Sequence, residues 1–236
     1  MTMYFSKVQL KANVSPTELF YSTLPKRGGE QTYKAHQQIW KLMEGVEKRD
    51  FLYRLHQDGP AGMFYLVSMR QPVDKQGYWH VATKPYQPDL TPGTRLSFVL
   101  RANPVVTRHI PDPSGPSSHR RHDVVMNAKK KLTEAGTPRE QWPPSHVMVH
   151  EQGMNWLAKR GQKHGFALDE NLMRVDGYQK QKFWRPKGNG DVFITTLDFT
   201  GVLTVTDKEA FTQALFQGIG PAKGFGCGML LVKPFR

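Results

Sequence analysis

The sequence predicts an α+β protein whose two halves repeat one order of strands and helices. Short runs of alternating apolar residues bounded by Gly and Pro are typical of strands, and longer stretches with apolar spacings of three and four are typical of helices. Each half approximates the order β-α-β-β-α-β, although the segment before the last strand of the first half has no clear pattern. Two such halves predict tandem ferredoxin-like (βαββαβ, RRM-like) domains, a layout common among RNA-binding proteins.

In the first half, four strands and one helix are predicted. The helix covers 32–46, because its apolar residues fall on one face. That face comprises Ile39, Trp40, Met43 and Val46. The strands cover 3–11, 51–56, 63–69 and 78–83, with a turn at Asp58-Gly59-Pro60 between the second and the third.

A segment rich in Pro and Gly at 85–94 separates the halves, and we place the domain boundary there. The expected domains are 1–88, with the first helix, and 93–236. The second domain begins with a strand over 95–107. The dense Pro, Ser, His and basic residues of 109–146 indicate an irregular insertion.

Two helices and three strands are predicted in the rest of the second half. One helix covers 147–163, and the strands cover 171–178, 191–205 and 229–233. The strand over 191–205 is expected to break near Gly201. The last helix begins at Thr206, which has capping-box spacing to Glu209, and ends at Gly218.

The protein is strongly basic, with 33 Lys and Arg against 20 Asp and Glu and a net charge of +13. This excess predicts a polyanionic partner: nucleic acid first, an anionic membrane surface second. A basic protein without such a partner is the alternative. A membrane is disfavoured, because there is neither a suitable amphipathic helix nor an apolar run of the roughly 20 residues that span a bilayer. The single cysteine excludes an internal disulfide, and without a signal-peptide pattern we expect a cytoplasmic protein.

Tyr33 and His36 lie three residues apart near the start of the predicted first helix, and therefore on one face. Cleavage of RNA by its own 2′-hydroxyl requires one proton to leave that hydroxyl and another to reach the departing 5′-oxygen. Histidine suits either transfer, because its ordinary pKa of about 6.5 is close to working pH. A structural histidine on a helix is the alternative for His36.

The segment GIGPAKGFGCG places five glycines within 218–228. Such a loop exposes N–H groups and admits a phosphate backbone, and Lys223 adds a positive charge. The loop follows a helix and precedes a strand, which is the reverse of a dinucleotide-binding fingerprint. Two interpretations remain: a tight connection that needs positive φ angles, or an RNA-binding loop. The candidate RNA-binding glycines are Gly220, Gly224 and Gly226.

Basic segments in the second half are further candidate RNA contacts. The arm YQKQKFWRPKGNG has Lys180, Lys182 and Arg185 for phosphates and interleaved aromatic residues for stacking. A second cluster contains Arg120 and Arg121. Solvated charge without RNA contact is the alternative for each.

The sequence offers little for a metal site, and we expect neither metal nor cofactor. It has no CxxC pair and no HExxH motif. His146 and His150 have helical spacing but no third ligand nearby, so we expect them on a helix surface. Cys227 has no nucleophilic signature.

Several segments resemble the CasE family, the CRISPR RNA endonucleases of type I-E Cascade complexes. The matching segments are YFSKVQL at 4–10, YKAHQQIWKLM at 33–43, FVLRANPVVT at 98–107, FTGVLTVTD at 199–207 and QGIGPAKGFGCGMLLVKP at 217–234. The resemblance extends over nearly the whole chain except the insertion. It implies metal-independent cleavage of CRISPR repeat RNA at the base of a stem-loop, leaving a 5′-hydroxyl and a cyclic or 3′-phosphate end.

The resemblance also implies site residues and partners. The family's catalytic histidine falls on His36 and its assisting tyrosine on Tyr33, while Gln37 stands where some relatives have a basic residue. The remaining candidate phosphate contacts are Lys7, Lys34, Lys223 and Arg101. The expected partners are the CRISPR repeat stem-loop and other Cascade-type subunits, with no membrane. A non-catalytic RNA-binding subunit of such a complex is the alternative.

Overall fold

The computed structural model describes residues 2–14, 30–45, 48–56, 62–110, 118–184 and 191–236. For residues 30–35, 110, 118–119, 183–184 and 191–192 it describes the backbone alone. The predicted turn at Asp58-Gly59-Pro60, and Val46 of the predicted helix, lie outside these ranges.

The first half forms a four-stranded antiparallel sheet with one helix. Its elements are β1 (Tyr4–Leu10), α1 (Glu30–Leu42), β2 (Phe51–Leu55), β3 (Met63–Ser68) and β4 (Trp79–Pro85). The sheet order is β2-β3-β1-β4, which is the ferredoxin-like order. The segment between β3 and β4 contains no helix. Arg70 holds it in place, because its guanidinium bonds the carboxylate of Asp50 and the carbonyl oxygens of Met43 and Glu44.

The predicted apolar face of the first helix forms the core of this half. Ile39 and Met43 are buried against the sheet, together with Val8 and Phe64. The helix ends at Leu42, earlier than the predicted 46. This packing fixes which face of α1 remains available near its middle, where His36 lies.

The second half is a five-stranded antiparallel sheet with three helices and a separate hairpin among its described elements. Its elements are β5 (Arg95–Ala102), β6 (Val105–Ile110), β7 (Ser118–Asp123), α2 (Val124–Glu134), α3 (Ser145–Lys163), β8 (Phe166–Leu168), β9 (Arg174–Trp184), β10 (Asp191–Val205), α4 (Lys208–Gln217) and β11 (Leu230–Pro234). The sheet order is β11-β5-β10-β8, with β9 also paired to β10, and β6 pairs with β7. Strands β8 and β9 together occupy one position, so the ferredoxin-like order recurs.

The prediction of an irregular insertion over 109–146 was wrong. The described part of this segment contains β7, all of α2 and the first residues of α3. Asp123 caps α2 by accepting a hydrogen bond from the Met126 N–H at 2.8 Å. The predicted strand over 95–107 is two strands, because it breaks at Asn103-Pro104 and proline cannot donate to a ladder.

Two predictions near the end of the chain also need correction. Strand β10 continues through Gly201, which pairs with Phe98, and the missing side chain leaves room for Met173. The cap of α4 is Asp207, which accepts from the Ala210 N–H at 2.9 Å, so Thr206 is not the cap. The end of this helix at Gly218 is confirmed by its left-handed φ of 76°.

A small apolar cluster joins the two sheets. Leu52 and Val67 from the first half are buried against Met229 from the second. Because Met229 directly follows the glycine-rich segment, this contact brings that segment to the edge of β2, beside α1. The Pro-rich 85–94 segment connects β4 to β5, and the boundary placed there stays a prediction.

Candidate active site

His36 lies where α1 meets the glycine-rich segment, and the contact joins the two halves of the protein. Its Nδ1 is 2.5 Å from the carbonyl oxygen of Gly224. The imidazole stacks on Phe225 with ring centroids 5.8 Å apart, and it meets the edge of Trp40 at 6.0 Å. The side chain is half-buried, so part of it stays accessible to solvent.

The contact with Gly224 assigns the imidazole tautomer. A carbonyl oxygen only accepts, so Nδ1 carries the proton and donates it. The neutral ring therefore has its lone pair on Nε2. Tyr53, from β2, donates its hydroxyl to the same carbonyl oxygen at 2.9 Å. The arrangement leaves Nε2 as the nitrogen able to take up or deliver a proton.

The backbone of the glycine-rich segment explains most of its glycines. Gly218, Gly220, Gly226 and Gly228 have φ angles of 76°, 80°, 77° and 87°, which strain any other residue. Gly224 lies in a 3₁₀ turn over Lys223–Phe225 and has no such angle. A Cβ at Gly224 would lie 3.5 Å from Cε1 of His36. The need for positive φ angles in a tight connection therefore explains four of the five glycines. Gly224 differs from them because it lies against His36.

Two basic residues, Arg49 and Lys223, determine the electrostatics of this site together with burial. The pKa of His36 is lowered, chiefly by burial and further by the Arg49 guanidinium, while the bond to Gly224 partly offsets the fall. The pKa of Lys223 is lowered by burial and then by Arg49. Burial raises the pKa of the Tyr53 hydroxyl, which stays protonated. His36 is therefore mostly neutral near pH 7, and the charges around it suit an anion.

Three predicted site residues of the first half fall in different places. Tyr33 and Lys34 lie in the first turns of α1, and their side chains are outside the described atoms. Lys7 is exposed on β1, but the neighbouring Val8 packs under α1. Because successive strand residues face opposite sides, Lys7 lies on the other face of the sheet from α1 and His36.

Arg101 is not a free cation for RNA. Its Nε donates to Oδ1 of Asp198 at 2.9 Å, and its Nη2 contacts Oδ2 at 2.5 Å. Arg54 adds a weaker contact with Asp198 at 3.7 Å. This bidentate pair is mostly buried and neutralises the charge within the protein. The prediction that Arg101 contacts phosphate is therefore disfavoured.

An open groove of about 780 Å³ lies in the second half between β6, β7, α2, α3 and the turn at Gly220-Pro221. The cations lining it are Arg121, Lys131, Lys159 and Arg160. Of the predicted residues, Arg121 and Gly220 line it, whereas Arg120 is exposed on β7 and does not. Lys159 and Arg160 were missed, because on α3 they resemble ordinary helix-surface charge.

The basic arm is confirmed as paired strands over its described part. Lys180 and Lys182 are exposed on β9, opposite Thr195 and Phe193 of β10. Lys182 lies over the Phe193 ring at 5.6 Å. Arg185 lies outside the described residues.

The remaining candidates are a metal-ligand cluster, the two histidines of α3 and the single cysteine. Among the described residues, no group of three or more His, Cys, Asp or Glu could hold a metal ion. His146 is exposed on α3 and His150 half-exposed, as predicted. Burial raises the pKa of Cys227 to about 12, so its thiol remains protonated. In the part of the chain that the structure describes, no helix is long and apolar enough to cross a membrane.

The chain is similar in sequence and in fold to known proteins. The chain is 29% identical over 206 residues to the CRISPR system Cascade subunit CasE of Escherichia coli strain K12, covering 86% of this chain and 92% of that protein. It is 29% identical over 171 residues to the CRISPR-associated endoribonuclease Cse3 of Thermus thermophilus, covering 67% of this chain and 65% of that protein.

The fold match covers nearly the whole chain. Thermus thermophilus Cse3 bound to an RNA representing a pre-cleavage complex matches with a TM-score of 0.64 and 24% identity, covering 99% of this chain and 100% of that one. At this identity the match shows the fold, and it confirms the predicted α+β architecture. The family model described as CRISPR associated protein matches residues 3–234. The chain therefore belongs to the CRISPR-associated protein family.

Proposed function

We propose that this protein is a metal-independent endoribonuclease that cleaves CRISPR precursor RNA at the base of the repeat stem-loop. The observation that carries the proposal is the half-buried His36, whose Nδ1 is anchored on Gly224 and on which the positive charge of Arg49 acts. The similarity to the Cascade subunit CasE and the endoribonuclease Cse3 supports the substrate and the reaction class.

The proposed reaction is an internal transesterification. The 2′-oxygen forms a bond to phosphorus as the bond between phosphorus and the 5′-oxygen breaks. The 2′-hydroxyl loses its proton to a base, and the 5′-oxygen gains one from an acid, which gives a 2′,3′-cyclic phosphate and a 5′-hydroxyl. His36 takes part in proton transfer through Nε2, with Tyr33, one turn earlier on α1, as its proposed assistant.

The RNA stem is proposed to bind the second half. The groove between β7 and α3 has four cations, and Lys180 and Lys182 add two more on β9. An A-form stem presents regularly spaced phosphates to such cations. The base edges in its narrow major groove are hardly accessible to side chains. We propose that the product hairpin stays bound there, and that the protein joins other Cascade-type subunits through it.

The test is cleavage of a repeat hairpin by purified protein in EDTA. We expect a cut at the base of the stem, and we expect a 2′-deoxy nucleotide just upstream of the scissile phosphate to abolish it without preventing binding. Tight binding of the unmodified hairpin without any cut would select the non-catalytic subunit instead. Efficient cleavage of the deoxy substrate would exclude attack by the 2′-hydroxyl.

A further inference from the structure

Arg49 lies in the turn between α1 and β2, and one of its nitrogens is buried without a partner. Nη1 is inaccessible to solvent and has no hydrogen bond to any residue that the structure describes. An unpaired buried donor on a charged group is costly, so such groups are normally satisfied by an ion pair, by water or by a ligand. The side chain as a whole is only half-buried, so part of it reaches solvent.

The carboxylate next to Arg49 does not neutralise it. Oδ2 of Asp50 accepts a hydrogen bond from Nε of Arg70 at 2.7 Å, so this carboxylate is paired with the segment between β3 and β4. Arg49 forms no ion pair within the described ranges. None of the residues that the structure describes therefore neutralises its positive charge.

Arg49 is also near the candidate active site in the fold, because Phe51, two residues further on, packs on Trp40, whose ring in turn meets His36. It is close enough to His36, Tyr53 and Lys223 to interact electrostatically with each of them. His36 and Tyr53 both bond the Gly224 carbonyl, so Arg49 acts electrostatically on two side chains of one cluster, including the proposed proton-transfer group. A cation at this place has one obvious use in the proposed reaction, because negative charge builds on the phosphate oxygens in the transition state.

We propose that Arg49 is a catalytic residue whose guanidinium binds the non-bridging oxygens of the scissile phosphate beside His36. This inference rests on the proposed function. Arg49 transfers no proton, because a guanidinium stays protonated in proteins. Its planar fork donates two parallel hydrogen bonds to a phosphate, a geometry that lysine cannot reproduce. Arg49 would thus neutralise the scissile phosphate. For that role the sequence offered only lysines, and Gln37 stands where some relatives have a basic residue.

Single-turnover cleavage by Arg49→Gln and Arg49→Lys tests the proposal, with Arg95→Gln as the control. Arg95 pairs with Asp169 on the second half and touches none of the site residues. We expect Arg49→Gln to slow cleavage about 10²- to 10³-fold, the usual cost of one oxyanion donor, with RNA affinity nearly unchanged. Arg49→Lys should recover part of the rate, and free guanidinium should partly rescue Arg49→Gln.

A sulfur in place of each non-bridging oxygen separates contact from a structural role. The wild-type enzyme should cut one phosphorothioate isomer more slowly than the other, and Arg49→Gln should largely lose that difference. A variant that is slow but keeps the wild-type preference would overturn the inference, as would unchanged cleavage. If Arg49→Gln does not fold, the same comparison with Arg49→Lys decides. Failure of the wild-type protein to cut any hairpin would instead reject the proposed function.

Discussion

Nδ1 of His36 lies 2.5 Å from the carbonyl oxygen of Gly224, a residue 188 positions further along the chain. One half of the protein therefore supplies the proposed proton-transfer group, and the other half fixes its tautomer and orientation. The apolar cluster of Leu52, Val67 and Met229 holds the two halves in this relation. Correct placement of His36 thus depends on packing between the sheets.

Replacement of His36 by alanine should abolish cleavage and leave RNA affinity nearly unchanged. Loss of a positioned proton-transfer group costs about 10²- to 10⁴-fold in rate, or roughly 3–5 kcal/mol in the barrier. Binding survives because the basic surface is broad. Single-turnover rates and affinities measured in parallel check this, with His146→Ala as the control because His146 is exposed on α3. Near wild-type cutting by His36→Ala would reject the assignment.

The two interpretations of the glycine-rich segment are separated by Gly224→Ala and Gly226→Ala. Gly226 has a φ of 77°, and its Cβ would lie 3.3 Å from Tyr53, so alanine should reduce the free energy of unfolding by about 1–2 kcal/mol. Gly224→Ala should change it by less than about 0.5 kcal/mol, because the added methyl makes an ordinary contact.

The same pair of variants reports on RNA approach. We expect Gly224→Ala to slow cleavage although it folds normally, because its methyl stands against the His36 ring where a phosphate would enter. Thermal unfolding and single-turnover cleavage of both variants are the measurements. Wild-type cleavage by Gly224→Ala would reduce the segment to a structural connection.

The pKa of His36 should depend on Arg49. Burial and the positive charge of Arg49 both lower it, so the neutral ring is favoured in the folded protein. Removing the charge in Arg49→Gln should raise the pKa and move the His36 titration to higher pH. Histidine NMR titration of the RNA-free variants measures this without cleavage, with Arg95→Gln as the control. An unchanged titration would place Arg49 too far away to act on His36.

The lowered pKa also has a consequence for stability. The unfolded chain binds a proton at the ordinary histidine pKa of about 6.5, above the folded value. The contribution of neutral His36 to stability is therefore present above pH 6.5 and is lost as the pH falls through the folded pKa. The measurement is the free energy of unfolding as a function of pH. If the linkage holds, this free energy should fall less steeply at acid pH in His36→Asn than in the wild-type protein.

The sequence predicted the elements whose apolar residues alternate or recur at helical spacing. It failed for α2, where Val124 and Val125 are buried but the run Lys129–Lys131 dominates the pattern. His36 was a candidate because its motif, near the start of the predicted helix, is local in the sequence, and its catalytic role stays a prediction. Its partners were not predictable, since Gly224 and Tyr53 are distant in sequence and Arg49 is marked only by its unpaired nitrogen.

RNA affinity should depend on salt through the groove cations. Arg121 and Lys159 are exposed and line the groove, so each should contact about one phosphate. The double variant Arg121→Gln, Lys159→Gln should bind the repeat hairpin more weakly and lower the slope of log affinity against log salt by about two units, since each phosphate contact contributes roughly one.

The control for this experiment is Lys75→Gln with Lys208→Gln, which removes the same net charge outside the groove. These lysines lie at the surface near Glu44 and Asp89. If the +13 charge acted only as a diffuse field, both double variants would weaken binding equally. Affinity measured across a salt series for the repeat hairpin and a scrambled hairpin distinguishes the two cases. An equal loss of RNA affinity in both double variants would show that the groove is not the RNA site. A loss confined to Arg121→Gln, Lys159→Gln would locate the stem between β7 and α3.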